Sequence, residues 1–552
     1  MRHSRLRFAC ALTALAALTA GVAGCAASKR EGSAGGGKGE TLIFATPGEP
    51  KVLDPSLATD GETFRPARQI METLIQHEPG GTRLVGMLAD TWDMSPDGTA
   101  WTFSLRKDVK FHDGTDFNAE AVCKNFERWY NYSGLYQNVA EYWLDTFGGF
   151  AKNEDPDAPP TNYAGCTFSD PSNVVIRVKK PTSRLPGAFT LSSFSIQSPK
   201  ALEAYAAESM TGDAQNMTYP KYALEKVVGT GPFTFDSWDR ANKRITMVRN
   251  DAYWGDKAKI GKLIFRQIAD ENARRQALQA GEVNGYDLVA PADIATLSGE
   301  KFQVPTRSVF NILYLGMGQA NPRLADPRVR KAIAHAVDRE ALAKSKLPQG
   351  ATVANQFMPD TLEGYASDVP AYPHDAAKAK DLLREAGAEG LELKFYYPTE
   401  VTRPYMPNPK DIYEIIKAGL EEVGFKVVPV PEKWSPTYLD DVRAGKADLW
   451  LLGWTGDYNE GYNFIGTFFG RKQESWGFDN PALFAALAAV DSEPDREKRV
   501  TMYKELNKQI MDFLPGLPLA SSPPSFALAK NVKGMKPSPL TDERFSTVEF
   551  TD

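Results

Sequence analysis

The stretch ADLWLLGWTGDYNEGYNF, residues 447–464, sets a short apolar run directly against a turn-rich segment that carries an acid. Leu449 to Leu452 suits a strand covered on both faces, and Gly453, Trp454, Thr455, Gly456 and Asp457 follow at once. In an open α/β sheet, ligands sit in the crevice outside the carboxyl ends of the strands. A Trp, two glycines and a carboxylate at that point therefore form a candidate ligand floor. An isolated Gly-Asp loop is more often a solvated turn. The reading thus depends on what else the chain brings to the same crevice.

Upstream of this stretch the elements alternate. Asn311 to Gly316 reads as a strand, and Asp326 caps a helix with Pro327 in its first position and Val329, Ile333, Ala336 and Val337 on the buried face. A strand at Leu391 to Tyr396, a helix at Lys410 to Val423, a strand at Phe425 to Val430, a helix at Pro436 to Ala444 and a strand at Asp448 to Leu452 follow. Alternation at these lengths implies a parallel sheet and an α/β fold. Two loops would leave that sheet at its carboxyl ends, Tyr397 to Pro409 and Gly453 to Gly461. The first holds Arg403 and the second Asp457, so one sheet edge presents a guanidinium and a carboxylate to one crevice.

The first half reads differently. Thr41 to Thr46 is an opening strand, and Arg68 to Gln76 has helical spacing through Ile70, Met71, Leu74 and Ile75. From Leu88 to Gly114 the period is two: Ser95-Pro96-Asp97-Gly98 is a type I turn, with Trp101, Phe103 and Leu105 alternating after it and Val109 and Phe111 forming a further strand. Asn118 caps a helix that carries Cys123. Strands at Val174 to Val178, Phe233 to Trp238, Arg244 to Arg249 and Lys262 to Gln267 and a helix from Asp270 to Ala280 complete it. Gly229-Thr230-Gly231 fails the G-x-G-x-x-G pattern, so no phosphate site follows.

Met1 to Arg7 is basic and Phe8 to Gly24 is uncharged and mostly Ala, Leu and Thr, the pattern of an export signal. These 17 residues fall short of the roughly 20 that cross a bilayer. Val22-Ala23-Gly24-Cys25 resembles a bacterial lipobox, which would make Cys25 the lipid-modified first residue, and Ser28 to Glu40 is a Gly-rich flexible tether. Loss of residues 1–24 removes Arg2, Arg5 and Arg7 and takes the net charge from −6 to −9, which argues against nucleic acid as a partner. Cys123 and Cys166 are then the only thiols of an exported body and most simply form a disulfide; a metal pair is the rival, but no His lies near either.

Catalysis has no support in the pattern. The four histidines beyond the signal, His77, His112, His335 and His374, form no H-E-x-x-H motif and adjoin no G-x-S-x-G elbow, and His335 sits at the edge of a helix's apolar face as a structural residue. Trp434 and Trp454 suit either core packing or ligand stacking.

Three segments then carry a resemblance: LADTWDMSPDGTAWTFSLRKDVKFHDGTDFNAEAV at 88–122, VGTGPFTFDSW at 228–238 with VRNDAYWG at 248–255, and DPRVRKAIAHAVDRE at 326–340. With Arg403-Pro404-Tyr405 and Gly453-Trp454-Thr455-Gly456-Asp457, the body resembles the extracytoplasmic solute-binding proteins of peptide ABC importers, family 5, the dipeptide- and oligopeptide-binding group. The resemblance implies a two-lobed α/β fold of the type II periplasmic-binding-protein kind, with an extra domain inserted in the N-terminal lobe. It places the first lobe at 41–305 plus 517–552, the insert within about 77–205 and the second lobe at 306–516, after a signal at 1–24 and a tether at 25–40. It further implies that Asp457 holds a peptide's α-ammonium and Arg403 its carboxylate, with Tyr405, Trp454, Thr455 and Gly456 in the same ligand site. The implied partners are a short peptide, the permease and ATPase subunits of an importer, and a membrane reached through the lipid anchor on the extracytoplasmic face. A monomer with no cofactor or metal and no enzymatic activity is expected, a same-fold receptor for a sugar or metal chelate being the alternative. The chain departs from the family after the acid, where Tyr458-Asn459-Glu460-Gly461 stands in place of the usual Asp-Pro, so ligand length does not carry over.

Overall fold

The computed structural model describes residues 41–551, apart from 157 and 214–215; the expected signal, Cys25 and the tether lie outside them. Thr41–Thr46 is an inner strand of a seven-stranded sheet, parallel to Lys262–Gln267 on one side and to Gly285–Asp287 on the other. The antiparallel strands Phe233–Asp239 and Arg244–Arg249 extend one flank, and Phe526–Ala529 and Phe302–Gln303 the other. The last two hundred residues thus return one strand to the sheet that the first residues begin.

The helix expected at 68–76 lies earlier, at Gly61–Ile70. Asp60 fixes its start by accepting from the Thr63 amide at 2.9 Å, and Met71 ends it in extended conformation. Leu74 and Ile75 are buried, but from a loop and a strand, Ile75–His77, paired with Leu84–Gly86. Apolar spacing alone located the core residues without the element.

A separate four-stranded antiparallel sheet follows, in the order Ala89–Met94, Ala100–Leu105, Asn173–Val178, Tyr163–Asp170. The first two form the hairpin expected around Ser95 to Gly98. Val109 and Phe111 are buried there but form no strand; only a bridge between Lys110 and Asp116 remains, because Asp113-Gly114 turns the chain at once. The helix Ala119–Tyr130 starts where Asn118 accepts from the Ala121 amide at 2.9 Å and packs on this sheet. Its core is aromatic, Trp143 lying 4.4 Å from Phe147 and Phe126 5.0 Å from Trp129 between ring centroids. Cys123 on the helix and Cys166 on the edge strand are joined in a disulfide, with Cα atoms 5.3 Å apart. Closing that loop stabilises by about 3 to 4 kcal/mol in the chain-entropy model.

The second large sheet has six strands, ordered Thr352–Val353, Gly516–Ser521, Asn311–Met317, Leu449–Thr455, Glu392–Thr399, Lys426–Lys433. It is parallel only among the last three; Asn311–Met317 is antiparallel to both of its neighbours. The expectation of a parallel sheet therefore holds for half of it. Helix crossovers impose parallel pairing on the strands they join, whereas Asn311–Met317 and Gly516–Ser521 are the strands by which the chain enters this sheet from the other and leaves it again. Gly516–Ser521 also shows that the chain leaves this sheet after 521, beyond the expected limit of 516. In the region expected as a helix at 436–444, a π-turn at Trp434–Tyr438 leads into a short helix, Leu439–Arg443.

The two sheets are joined by segments near 304–310 and 522–525, which run antiparallel. The Arg307 amide donates to Pro524 O at 2.8 Å, the Phe526 amide to Pro305 O at 3.2 Å, and Asn311 pairs with Ser522 through its side chain in both directions. Under this crossing lies a buried ion network. Arg307 donates to Asp287 at 2.8 Å and to Glu543 at 2.6 Å, and Arg65 pairs with the second oxygen of Asp287. Burial pushes the Asp287 carboxyl up, but Arg307 and then Arg65 pull it further down, well below the usual carboxylate range. Arg307 and Asp287 are 1% and 2% exposed, so neither is rescued by water when its partner is lost. Arg307→Met, which keeps the stem volume, is expected to destabilise the protein by about 3 to 5 kcal/mol, measured as a drop in thermal and denaturant midpoints.

Candidate functional site

Glu392–Thr399 and Leu449–Thr455 run parallel, with Phe395 opposite Leu449 and Tyr396 opposite Trp450, so the loops that follow them leave at one end of the sheet. Gly453, Trp454 and Thr455 still belong to the strand, paired with Leu313, Ile312 and Asn311, and the loop proper begins at Gly456. Gly456 is required by close packing: a Cβ there would stand 2.3 Å from Phe310 Cε1 and 2.7 Å from Phe464 Cε2. Its amide donates to Phe310 O at 3.0 Å, which fixes the direction in which Asp457 leaves the sheet.

Asp457 is half-buried and held from two sides. Asn463, at the start of the helix Tyr462–Phe469, accepts from the Asp457 amide at 2.8 Å and donates to its Oδ2 at 3.2 Å. The same amide oxygen accepts from Trp454 Nε1 at 3.3 Å, so the Trp is tied to the acid through Asn463. From the other lobe, the Tyr142 hydroxyl donates to Asp457 Oδ1 at 2.9 Å. Tyr142 lies on the helix Glu141–Phe147, in the aromatic core beside the four-stranded sheet. Among the described residues no cationic side chain forms an ion pair with Asp457. Burial pushes its carboxyl up, the Asn463 and Tyr142 donors and the more distant Arg68 pull it down, Asp145 pushes it up again, and the balance is a pKa of about 6.

Arg403 is half-buried in the companion loop, which is closed on itself by paired backbone hydrogen bonds between Arg403 and Met406 of 3.1 and 3.0 Å. Its guanidinium lies 4.2 Å from the centroid of Trp434, whose ring stacks on Tyr438 at 5.9 Å. The Arg403 Nε is buried without a hydrogen-bond partner among the described residues. Tyr405 lies beneath: it is 6% exposed, its ring rests against the backbone of Gly453, and it belongs to the core of the second sheet. Thr455 is half-buried, with its Oγ1 enclosed and unpartnered among the described residues.

The sequence reading missed four contributors. Tyr142 and Asn463 bond the acid directly, and Arg68 adds positive field from the helix Gly61–Ile70. Glu62, in the first turn of that helix, has its carboxyl pushed up to about 7, chiefly by burial; Arg65 draws it down, Asp287 raises it, and Arg403 draws it down from the companion loop. Only Asn463 left a local trace, as a polar residue opening an otherwise apolar helix six positions after the acid. His335 is structural as expected, 2% exposed with Nδ1 2.7 Å from Pro373 O.

The family model described as bacterial extracellular solute-binding proteins, family 5 (middle region), matches residues 83–476. The chain belongs to that family. It is 30% identical over 526 residues to the dipeptide-binding protein of Pseudomonas aeruginosa, covering 91% of this chain and 94% of that one. It is 27% identical over 518 residues to heme-binding protein A of Haemophilus influenzae, covering 92% of this chain and 91% of that one. Its fold superposes on a dipeptide-binding protein from Pseudoalteromonas sp. SM9913 in complex with Met-Leu with a TM-score of 0.80 at 22% identity, covering 93% of this chain and all of that one. The two-lobed α/β architecture is the one these proteins share.

The geometry of Asp457 sets a pH dependence. An ammonium bound there needs the ionised carboxylate and lowers its pKa, so full affinity is present above about pH 6 and is lost as the carboxyl protonates below it. Calorimetry on either side of that pH should show affinity for an ammonium-bearing ligand falling by up to about tenfold per pH unit on the acid side. A flat profile would remove the ammonium role from Asp457.

Proposed function

We propose that this protein captures short peptides, dipeptides foremost, between its two lobes and delivers them to the permease and ATPase subunits of an ABC importer. The observation that carries the reading is the Asp457 carboxylate, enclosed by Tyr142 and Asn463 and without a cation of its own in ion-pair contact among the described residues. A half-buried carboxylate so provided with hydrogen bonds but not with a counter-charge is complementary to a ligand ammonium. In this reading Arg403, steadied on Trp434, takes the peptide's carboxylate; Trp454, Thr455 and Gly456 shape the floor, and Tyr405 supports it from below. Binding is the whole of the activity, with no catalysis and no cofactor.

The names of the relatives support this. The nearer alternative is another solute on the same fold, and heme-binding protein A among the relatives makes a metal chelate its most concrete form. A panel separates them. A free dipeptide should bind and an N-acetylated one should not, and Asp457→Ala should weaken the dipeptide by on the order of a hundredfold, the cost of leaving a desolvated ammonium unpaired. Equal binding of the acetylated ligand, or binding of haem or sugars in preference to peptides, would overturn the peptide reading.

The first lobe is assigned to residues 41–305 plus the chain after the second crossing, the insert to about 77–205 and the second lobe to the segment between the crossings. The body acts as a monomer, held on the extracytoplasmic face by a lipid on Cys25 after loss of residues 1–24. Among the described residues no helix is long and apolar enough to cross a membrane. Cys25→Ala should release the protein from the membrane fraction with its ligand affinity unchanged; retention in the membrane would exclude the lipid anchor.

A further inference from the structure

Away from the crossing segments, the expected insert also touches the second lobe at the C-terminus of the helix Pro481–Asp491. Asp491 is the last residue of the helix Pro481–Asp491 in the second lobe. Its carboxylate accepts from Thr182 Oγ1 at 2.9 Å, from Ser183 Oγ at 3.1 Å, and from Arg184 through Nε at 3.2 Å and Nη2 at 2.9 Å. Its backbone carbonyl accepts from the Ser183 amide at 2.7 Å. All of these donors come from one short segment of the insert. A carboxylate at a helix C-terminus opposes the helix dipole, so Asp491 does nothing for its own helix, and every partner that satisfies it lies across the lobe boundary.

The same segment is tied to the ligand site. Arg184 Nη1 donates to Asp145 O, on the helix whose Tyr142 bonds Asp457. Its guanidinium lies 4.5 Å from the centroid of Tyr462, next in sequence to Asn463. Tyr458, adjacent to the acid, is 6% exposed and belongs to the hydrophobic core of the insert rather than to that of its own lobe. It fits because position 187 is glycine: a Cβ there would stand 2.3 Å from Tyr458 Cδ2.

We propose that Arg184, with Thr182 and Ser183, and Asp491 form a clasp that holds the lobes closed, and that the rate of ligand release is set there rather than at the ligand-contacting residues. Arg184 and Asp491 are positioning residues: they touch no ligand, but their bidentate pair exists only while the lobes are together. Apparent affinity scales with the fraction of molecules in the competent closed form, so weakening the clasp lowers affinity for every ligand by the same factor. The more exposed pair across the same boundary, Arg443 with Glu141 at 3.6 Å, contributes little by comparison.

The test uses the full body with Asp491→Asn, Arg184→Gln and their combination. Small-angle scattering of the ligand-free chain should show a larger radius of gyration in each variant than in the wild type, with the melting midpoint nearly unchanged; an unchanged radius overturns the clasp whatever the ligand proves to be. With the dipeptide Met-Leu as probe, stopped-flow should show dissociation faster by about tenfold or more, with association altered by no more than about twofold. The double variant should be no worse than either single one, and Arg184→Lys should recover part of the loss. A loss expressed in association, or additive single effects, would refute the proposal. Failure of Met-Leu to bind, with the scattering response intact, would count against the peptide reading while supporting the clasp.

Discussion

The ion network beneath the crossing segments is the constraint on which the two-lobed arrangement rests. Arg307 sits where the chain first passes between sheets, Asp287 and Arg65 belong to the first lobe, and Glu543 comes from the last residues of the chain. One guanidinium thus joins segments 236 residues apart in sequence beneath the strands that connect the two sheets. Apolar packing would have stabilised the same place with less risk. What ion pairs add is direction: the planar guanidinium of Arg307, donating once to each of two carboxylates, fixes the angle between them and so the line along which the antiparallel crossing segments lie.

The candidate site is assembled from both lobes. Asp457 and Arg403 come from neighbouring parallel strands and would stay together if the lobes separated. Tyr142 and Glu62 come from the opposite lobe and would leave. The two charges thus lie on one sheet, and burial is what raises the Asp457 carboxyl to about 6, while the Tyr142 hydroxyl that reaches it from the other lobe pulls it down. A charge pair held on a single sheet is pre-organised, so closure need only remove water.

Much of this was legible in the sequence wherever the determining interaction was local. Caps at Asn118 and Asp326 and the Ser95 to Gly98 turn placed their elements closely, since each relies on contacts a few residues long. That Asp457 and Arg403 follow neighbouring strands and leave the sheet on one side was legible because strand ends are marked by glycine and proline and because the loops after parallel strands share one side. The parallel sheet was half right for a related reason: alternation reports on strands joined by helices and is silent on the two through which the chain enters and leaves the lobe. Tyr142 was beyond reach, since it meets Asp457 across 315 residues from a region of weak periodicity. Arg184 and Asp491, 307 residues apart, share that limit.

The path of the chain bears on how such a molecule is made. Gly516–Ser521 joins one large sheet and Phe526–Ala529 the other, so each large sheet takes in a strand encoded long after the neighbour it pairs with. Pairings this distant form slowly. The four-stranded sheet between Ala89 and Val178 has no such delay, since every strand it needs and both halves of its disulfide lie within one stretch of chain.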